Sequence, residues 1–542
     1  MWAVGLGGVN LMAEHIVQRA RYDHTVSSRI KMLSFFFAAL FIFALDYQAW
    51  VGLHPLYEDD AYYYFIIARN VVEHGRSSFD GQVLTNGYHP FWLAILSLVY
   101  TLFGTFGSIP HVIELLCVLG GLACLLAALP SRSPLDNLLL GLSYVAAVRD
   151  NTLNGMETSL TVFCLAALIF CMERLDLSKR QNVVLTGLIA VACVGARIDA
   201  VVFVAPLLYF ALPAWRDKAL GFAILGGFGL VYLVFNEAIF HMAFPISGTI
   251  KSLGGIQFNH VLLARVAEEW TGRGLYAEAR PIVSDTAPMA GLYHMVGLAL
   301  IAMPLYRWSA REPQIRRLIA GYLIGMALYS IRLLYFSSWT VWPWYFFPSV
   351  LGAYACLRGG LSALDRLQKD IRHNVKRAAL GLLALVLMLP VKQSFAAHIT
   401  SFGYREMGEI TVEKYGALLN GSRVAMGDRA GGFAIVYQGP VTQLEGLVGD
   451  GEYLRALEGR RDLKALLCQR QVKYILNYEV DLGSYQTHRI KILRPRLTDY
   501  PGPEIQVSKA DEVGRVSDPR FFAASWPEYN RYIYIWRLSG CV

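Results

Sequence analysis

Charge is what this sequence has least of. Only 17% of its 542 residues are Asp, Glu, Lys or Arg, against 55% hydrophobic, whereas a soluble domain carries about 25% charged residues. So little charge excludes a disordered chain, and mean hydropathy of +0.40 argues against a purely soluble one. Eight cysteines in a chain of this length are too few for a disulfide scaffold, and none has metal-ligand spacing. Cys117, Cys124, Cys164, Cys171, Cys193 and Cys356 lie in apolar runs, where they read as small packing residues. Cys468 and Cys541 lie in the polar C-terminal part. Internal repeats, low-complexity tracts and a small-residue cleavage site after the first apolar run are also missing, so that run reads as a retained span.

What is present is a series of long apolar runs, such as Met32–Leu45, Val112–Leu129 and Leu380–Leu389, separated by short basic segments. That is the pattern of a polytopic α-helical membrane protein. The net charge of +8 needs no nucleic acid, because basic cytoplasmic loops account for it. Further spans are expected near 135–150, 155–172, 181–198, 200–213, 217–240, 286–306, 315–336, 341–357 and 378–396, and the apolar stretch 91–130 holds one crossing plus an interfacial or re-entrant helix. Basic clusters at Arg174/Lys179/Arg180, Arg216/Lys218, Arg307/Arg311/Arg316/Arg317 and 358–377 are placed inside. The expected organisation is a cytoplasmic segment 1–31, a membrane domain 32–397 with outer loop 53–90, and an extracytoplasmic α/β domain 398–542. The crossing count is about eleven, with twelve or thirteen also allowed. In the last region Arg423–Gly427 and Val472–Leu476 read as strands, Tyr453–Leu457 and Leu463–Gln469 as helices, and Tyr532–Trp536 as an additional strand.

Three consecutive carboxylates, Glu58, Asp59 and Asp60, follow the first span. Their mutual repulsion raises the pKa of at least one, and a carboxylate held at the membrane surface can take a proton from a sugar hydroxyl. The competing reading is an N-cap, with Asp59 or Asp60 starting an interfacial amphipathic helix that runs to about His74. Downstream, Asn86-Gly87-Tyr88-His89-Pro90 joins polar groups to an aromatic interface, which simple anchoring by Tyr88 and Trp92 also explains. Arg197 has Asp199 and Glu157 as ion-pair alternatives to a ligand, Lys251 reads equally as a solvated loop lysine, and Arg332 as a cation snorkelling from the end of its span. His54, His74 and His89 lack the spacing of a metal site.

Asp59-Asp60-Ala61-Tyr62, Ala68-Arg69-Asn70 and Thr85-Asn86-Gly87-Tyr88-His89-Pro90-Phe91-Trp92 together resemble the first outer loop of GT-C membrane glycosyltransferases, in particular the terminal arabinofuranosyltransferases of actinobacterial cell walls. The order Thr-Asn before Gly-Tyr, and His89 before Pro90, depart from that family's pattern and bear on donor or acceptor preference. The resemblance continues through Gly155-Met156-Glu157-Thr158, Arg197-Ile198-Asp199 with Ile in place of Pro, Pro245 to Lys251, Tyr345-Phe346-Phe347-Pro348 without the family's Arg, and Gly427 to Leu447. It implies an inverting transferase in a bacterial inner (plasma) membrane. The sugar, a pentose such as arabinofuranose or a hexose, moves from a polyprenyl phosphate to an extracytoplasmic glycan, lipid or protein, with membrane lipid as surroundings. Asp59 and Asp60 are the implied catalytic residues. Tyr62, Arg69, Asn86, Tyr88, His89, Glu157, Arg197, Asp199 and Lys251 are the implied substrate-binding residues. No cofactor is expected, a divalent metal being the alternative. A transporter or lipid flippase is the rival function; it calls for paired repeats and midplane charges, whereas these charges gather at one face.

Overall fold

The computed structural model describes residues 29–44, 57–105, 107–130, 133–148, 152–256, 258–259, 287–309, 312–337, 339, 342–396, 404–427, 429–459, 461–477, 487–491, 504–517 and 532–541. His54, Arg132, Arg149, Asp150, Arg311 and Asp428 lie outside the described residues, as do residues 260–286.

Helices occupy 29–44, Asp59–His74, Pro90–Phe103, Ile109–Ala128, Pro134–Val148, Thr158–Arg174, Arg180–Ala196, Val201–Ala211 and Trp215–Phe240. After the short helix Ile246–Lys251 come Ala287–Trp308, Pro313–Tyr335, Ser349–Leu364 and Lys369–Ala396. Among the described residues, Ile109–Ala128, Trp215–Phe240 and Pro313–Tyr335 are long and apolar enough to cross a membrane by themselves, and five more apolar helices are shorter. The helices pack in pairs, Ile109–Ala128 along Thr158–Arg174 and Val201–Ala211 along Pro313–Tyr335. Trp215–Phe240 instead exposes Leu230, Val231, Val234 and Phe235, the face a helix turns to lipid. The stretch 91–130 holds two helices, broken at Gly104 and restarted with Pro110 in the first turn, where its missing N–H costs nothing.

Two elements depart from the sequence expectation. The span read at 341–357 begins only at Ser349, because Pro343 and Pro348 hold the aromatic run before it in a 3-10 turn, Pro343–Phe346. The helix Asp59–His74 ends at Gly75 as expected, but Tyr62 to Ala68 are all buried. Its N-cap is Glu58, which makes no side-chain cap bond. Its first turns, at Asp59, Tyr62 and Tyr63, are covered by the C-terminal part of the chain, while Glu73 and His74 stay exposed.

That part begins with the helix Tyr404–Leu419 and builds a five-stranded sheet. The strands are β1 (Val424–Met426), β2 (Val441–Gln443), β3 (Tyr474–Asn477), β6 (Glu512–Val516) and β7 (Ile533–Arg537), in the order β2-β1-β3-β7-β6. β1 pairs parallel with β2 and β3, while β7 runs antiparallel to β3 and β6. β4 (Thr487–Lys491) and β5 (Glu504–Ser508) form a separate antiparallel pair. Cys468, at the end of the helix Leu463–Gln469, is disulfide-bonded to Cys541. The segments after the carboxyl ends of β1 and β2, where open α/β sheets place their working loops, are turned onto the helix Asp59–His74 and its loop. Gly431 meets Asp59, Tyr62 and Tyr63, and Gly446 meets Ile250.

Candidate active site

The carboxylates after the first span divide. Asp59 is buried, and its two oxygens accept from the backbone N–H groups of Gly432 (2.7 Å) and Gly431 (3.2 Å) in the C-terminal domain. A side chain at Gly431 would bring its Cβ to 2.4 Å from the Asp59 carbonyl oxygen, so the close approach requires glycine. Asp59 thus joins the start of its helix to the C-terminal part of the chain. Asp60 is half-buried and close enough to Lys251 to stabilise its charge. Glu58 feels the charges of both Asp60 and Arg429. Burial, reinforced by the Asp60 charge and opposed by Arg429, pushes its carboxyl up to about 7.

Around Glu157 the structure assembles groups far apart in sequence. Arg197 Nη1 donates to Glu157 Oε1 at 2.7 Å, and Arg197 Nε to Asp199 Oδ1 at 2.8 Å. Tyr64 Oη donates to Glu157 Oε2 at 2.9 Å, and the backbone N–H of His89 donates to that same hydroxyl at 3.3 Å. The Ile198 N–H donates to His89 Nδ1 (3.3 Å), which leaves the ring proton on Nε2, 3.5 Å from Glu157 Oε1. Burial pushes the His89 imidazole down, against the pull of Glu157, so it stays neutral. The Arg197 guanidinium lies 5.0 and 5.1 Å from the ring centroids of Tyr345 and Phe347. Lys251 Nζ lies 5.8 Å from the Tyr345 ring and 6.0 Å from that of Trp339. Burial opposes the Lys251 charge, but Tyr345 and Asp60 outweigh it and raise its pKa.

The Gly155 turn brings Glu157 here. Glu114, fully buried in its apolar helix, accepts from the N–H groups of Gly155 (2.8 Å) and Asn154 (3.3 Å), and Trp92 Nε1 donates to the Gly155 carbonyl at 3.2 Å. Gly155 has φ +86°, and a Cβ there would stand 2.6 Å from both Tyr57 and Ala61.

Of the residues read from sequence, His89, Glu157, Arg197, Asp199, Lys251 and Asp60 come together. Asn86 is a clamp between segments far apart in sequence: its amide donates to Asn236, Met242 and Phe244 (3.1, 3.2 and 3.2 Å) and accepts from Ile246 N–H at 3.0 Å. Tyr88 accepts from Ser77 Oγ at 2.8 Å, and Tyr62 packs edge-on against Tyr57 and Phe65 beneath the C-terminal domain. Arg69 stands apart, half-buried near Tyr100. One residue, Glu114, has no place in the sequence reading. Glu114 carried a usable signal, a lone carboxylate inside an apolar run. Arg332, a further candidate cation in the sequence for which snorkelling is the competing reading, places Nη1 3.1 Å from Asp199 Oδ2. Among the described residues no group of three or more His, Cys, Asp and Glu is arranged to hold a metal.

No protein-family model and no curated protein match this chain. Among solved structures it is similar to ArnT from Cupriavidus metallidurans bound to undecaprenyl phosphate, with a TM-score of 0.48 and 15% identity over 84% of this chain and 92% of that one. It is similar also to the same protein in the apo state, with a TM-score of 0.44 and 16% identity over 85% and 93% of the two chains.

Proposed function

We propose that this chain is a GT-C-type membrane glycosyltransferase that moves a sugar, with inversion, from a polyprenyl phosphate to an acceptor hydroxyl outside the cytoplasm. The observation that carries the reading is the arrangement of Arg197, Arg332 and Lys251 around two buried carboxylates, with Asp60 beside Lys251. Cations collected at such cost in an apolar helical protein imply an anion to be bound.

In this mechanism Asp60 takes the proton of the acceptor hydroxyl. The oxygen attacks the anomeric carbon from the side opposite the phosphate, and the electrons of the breaking carbon–oxygen bond pass to the leaving phosphate. The charge growing there is met by Lys251 and by the arginine pair Arg197 and Arg332 acting as a unit, which lowers the barrier because the interaction strengthens as the bond breaks. His89 and Tyr64 orient Glu157, and Glu157 holds Arg197. A domain outside the cytoplasm also agrees with the Cys468–Cys541 pair, since such bonds persist in oxidising compartments.

We expect no divalent metal in this step, because the fixed cations already neutralise a single phosphate. Transfer should therefore persist in excess chelator. Complete loss, restored by magnesium or manganese, would assign the carboxylates as ligands instead. The function itself is tested by supplying membranes that contain the protein with different radiolabelled polyprenyl-phosphate sugars and separating the products by thin-layer chromatography. A new glycosylated product that depends on the protein supports the reading. Lipid crossing the bilayer without any transfer would replace it with the flippase.

A further inference from the structure

We infer that Arg332, at the outer end of the helix Pro313–Tyr335, is the arginine that contacts the donor's phosphate, and that Arg197 is the positioning residue behind it; this rests on the donor reading above. The two guanidinium groups share Asp199 but differ in what is left over. Arg197 gives Nη1 to Glu157 and Nε to Asp199, has Tyr345 and Phe347 beside it, and keeps 4% of its side chain exposed. Arg332 keeps 32% exposed. Its Nη1 is buried 3.1 Å from Asp199 Oδ2, yet it has no hydrogen-bond partner among the described residues, because that ion contact is not aligned for one.

A buried guanidinium N–H without an aligned acceptor is costly unless a ligand completes it. The planar fork of arginine suits two phosphate oxygens at once. Asp199 then acts as a hinge of charge: it turns the buried Arg197–Glu157 pair into a rigid support that aims Arg332 outward.

The test uses the purified full-length protein and two short probes, farnesyl phosphate and farnesol, which differ only in the phosphate. The wild type should bind farnesyl phosphate more tightly than farnesol. R332A should lose that preference by about ten- to a hundredfold, the scale of one hydrogen bond to a charged group, with farnesol binding unchanged. R332K keeps a charge against Asp199 but not the fork, so it should fold even if R332A does not, and its preference should still fall several-fold. R197K should change the melting temperature more than the phosphate preference. A wild-type preference in folded R332A or R332K overturns the assignment of Arg332 alone. No phosphate preference in the wild type overturns the donor reading as well.

Discussion

Asp59 and Asp60 are adjacent in sequence and chemically alike, yet they face different parts of the molecule. On a helix, neighbouring side chains diverge by about 100°. Asp59 therefore meets the backbone of the C-terminal domain while Asp60 meets the cation cluster. D60N should lose transfer by roughly 10² or more, the usual scale of a general base, with little change in melting temperature. D59N should do the reverse: its amide can accept one backbone N–H but sets its own NH2 against the other, costing about 1–3 kcal/mol of docking with a smaller loss of turnover. Rates and melting curves of both variants decide this, and a D59N as slow as D60N at unchanged melting temperature would move the base to Asp59. Glu58 adds a pH dependence. Its folded-state pKa of about 7 exceeds the ordinary carboxylate value, so the folded protein binds more protons than the unfolded chain between roughly pH 4.5 and 7. Stability from this group is present below that window and is lost as pH rises through it. E58Q removes the effect, so its melting temperature should gain on the wild type between pH 5 and 8; parallel curves would count against the shift. At this scale the sequence marked residues by unusual context, a carboxylate or arginine beside apolar runs. It could not say which partner each would find, and that is why Glu114 was not read and why the contacts of Asn86 and Tyr62 within the protein lay beyond it.

Elements were more legible than residues. A helix announces itself through continuous local periodicity and its breakers, so Leu463–Gln469 and the helices from Pro134 to Phe240 lie within a few residues of their sequence-read limits. The misplacement came where apolar character and helix-forming ability separate: the aromatic run before Ser349 is apolar, but its prolines forbid a regular helix. The burial of Asp59–His74 was equally out of reach, because the surface that covers it comes from some 370 residues further along the chain. The turn Asn154–Thr158 shows what a short element contributes to the site. Gly155 takes a backbone conformation that side chains rarely adopt and leaves no room for a Cβ between Tyr57 and Ala61. G155A should therefore cost roughly 1–3 kcal/mol in strain and displaced packing. It should also weaken transfer, because the turn carries Glu157. A G155A protein that melts and turns over as the wild type would show that Glu157 is positioned by its helix alone.

At the scale of the whole molecule, the question is on which side of the membrane the docked parts lie. The cation cluster, the loop after Asp59–His74 and the sheet are bound to one another. Asp59 holds Gly431 and Gly432, and Asp80 Oδ2 accepts from Arg423 Nη1 at 2.9 Å with both side chains almost fully buried. They must therefore share a side, whatever the number of crossings, and the loop between Thr158–Arg174 and Arg180–Ala196 belongs to the opposite helix ends. By the positive-inside bias, the basic residues Arg174, Lys179 and Arg180 predict that this second side is the cytoplasmic one. Exposed positions make the test practicable. Single cysteines at Gln82 and Asn420 should react with an impermeant thiol reagent added to intact cells, while one at Ser178, also exposed, should react only after the cells are opened. Ser78 and Gly155 are buried and would stay silent on either side. Labelling of Gln82 and Asn420 together from outside fits a donor lipid presented at the outer surface. Labelling of Gln82 from outside and Asn420 only from within would contradict the Asp59 and Asp80 contacts themselves, and labelling of both only from within would place the transfer in the cytoplasm.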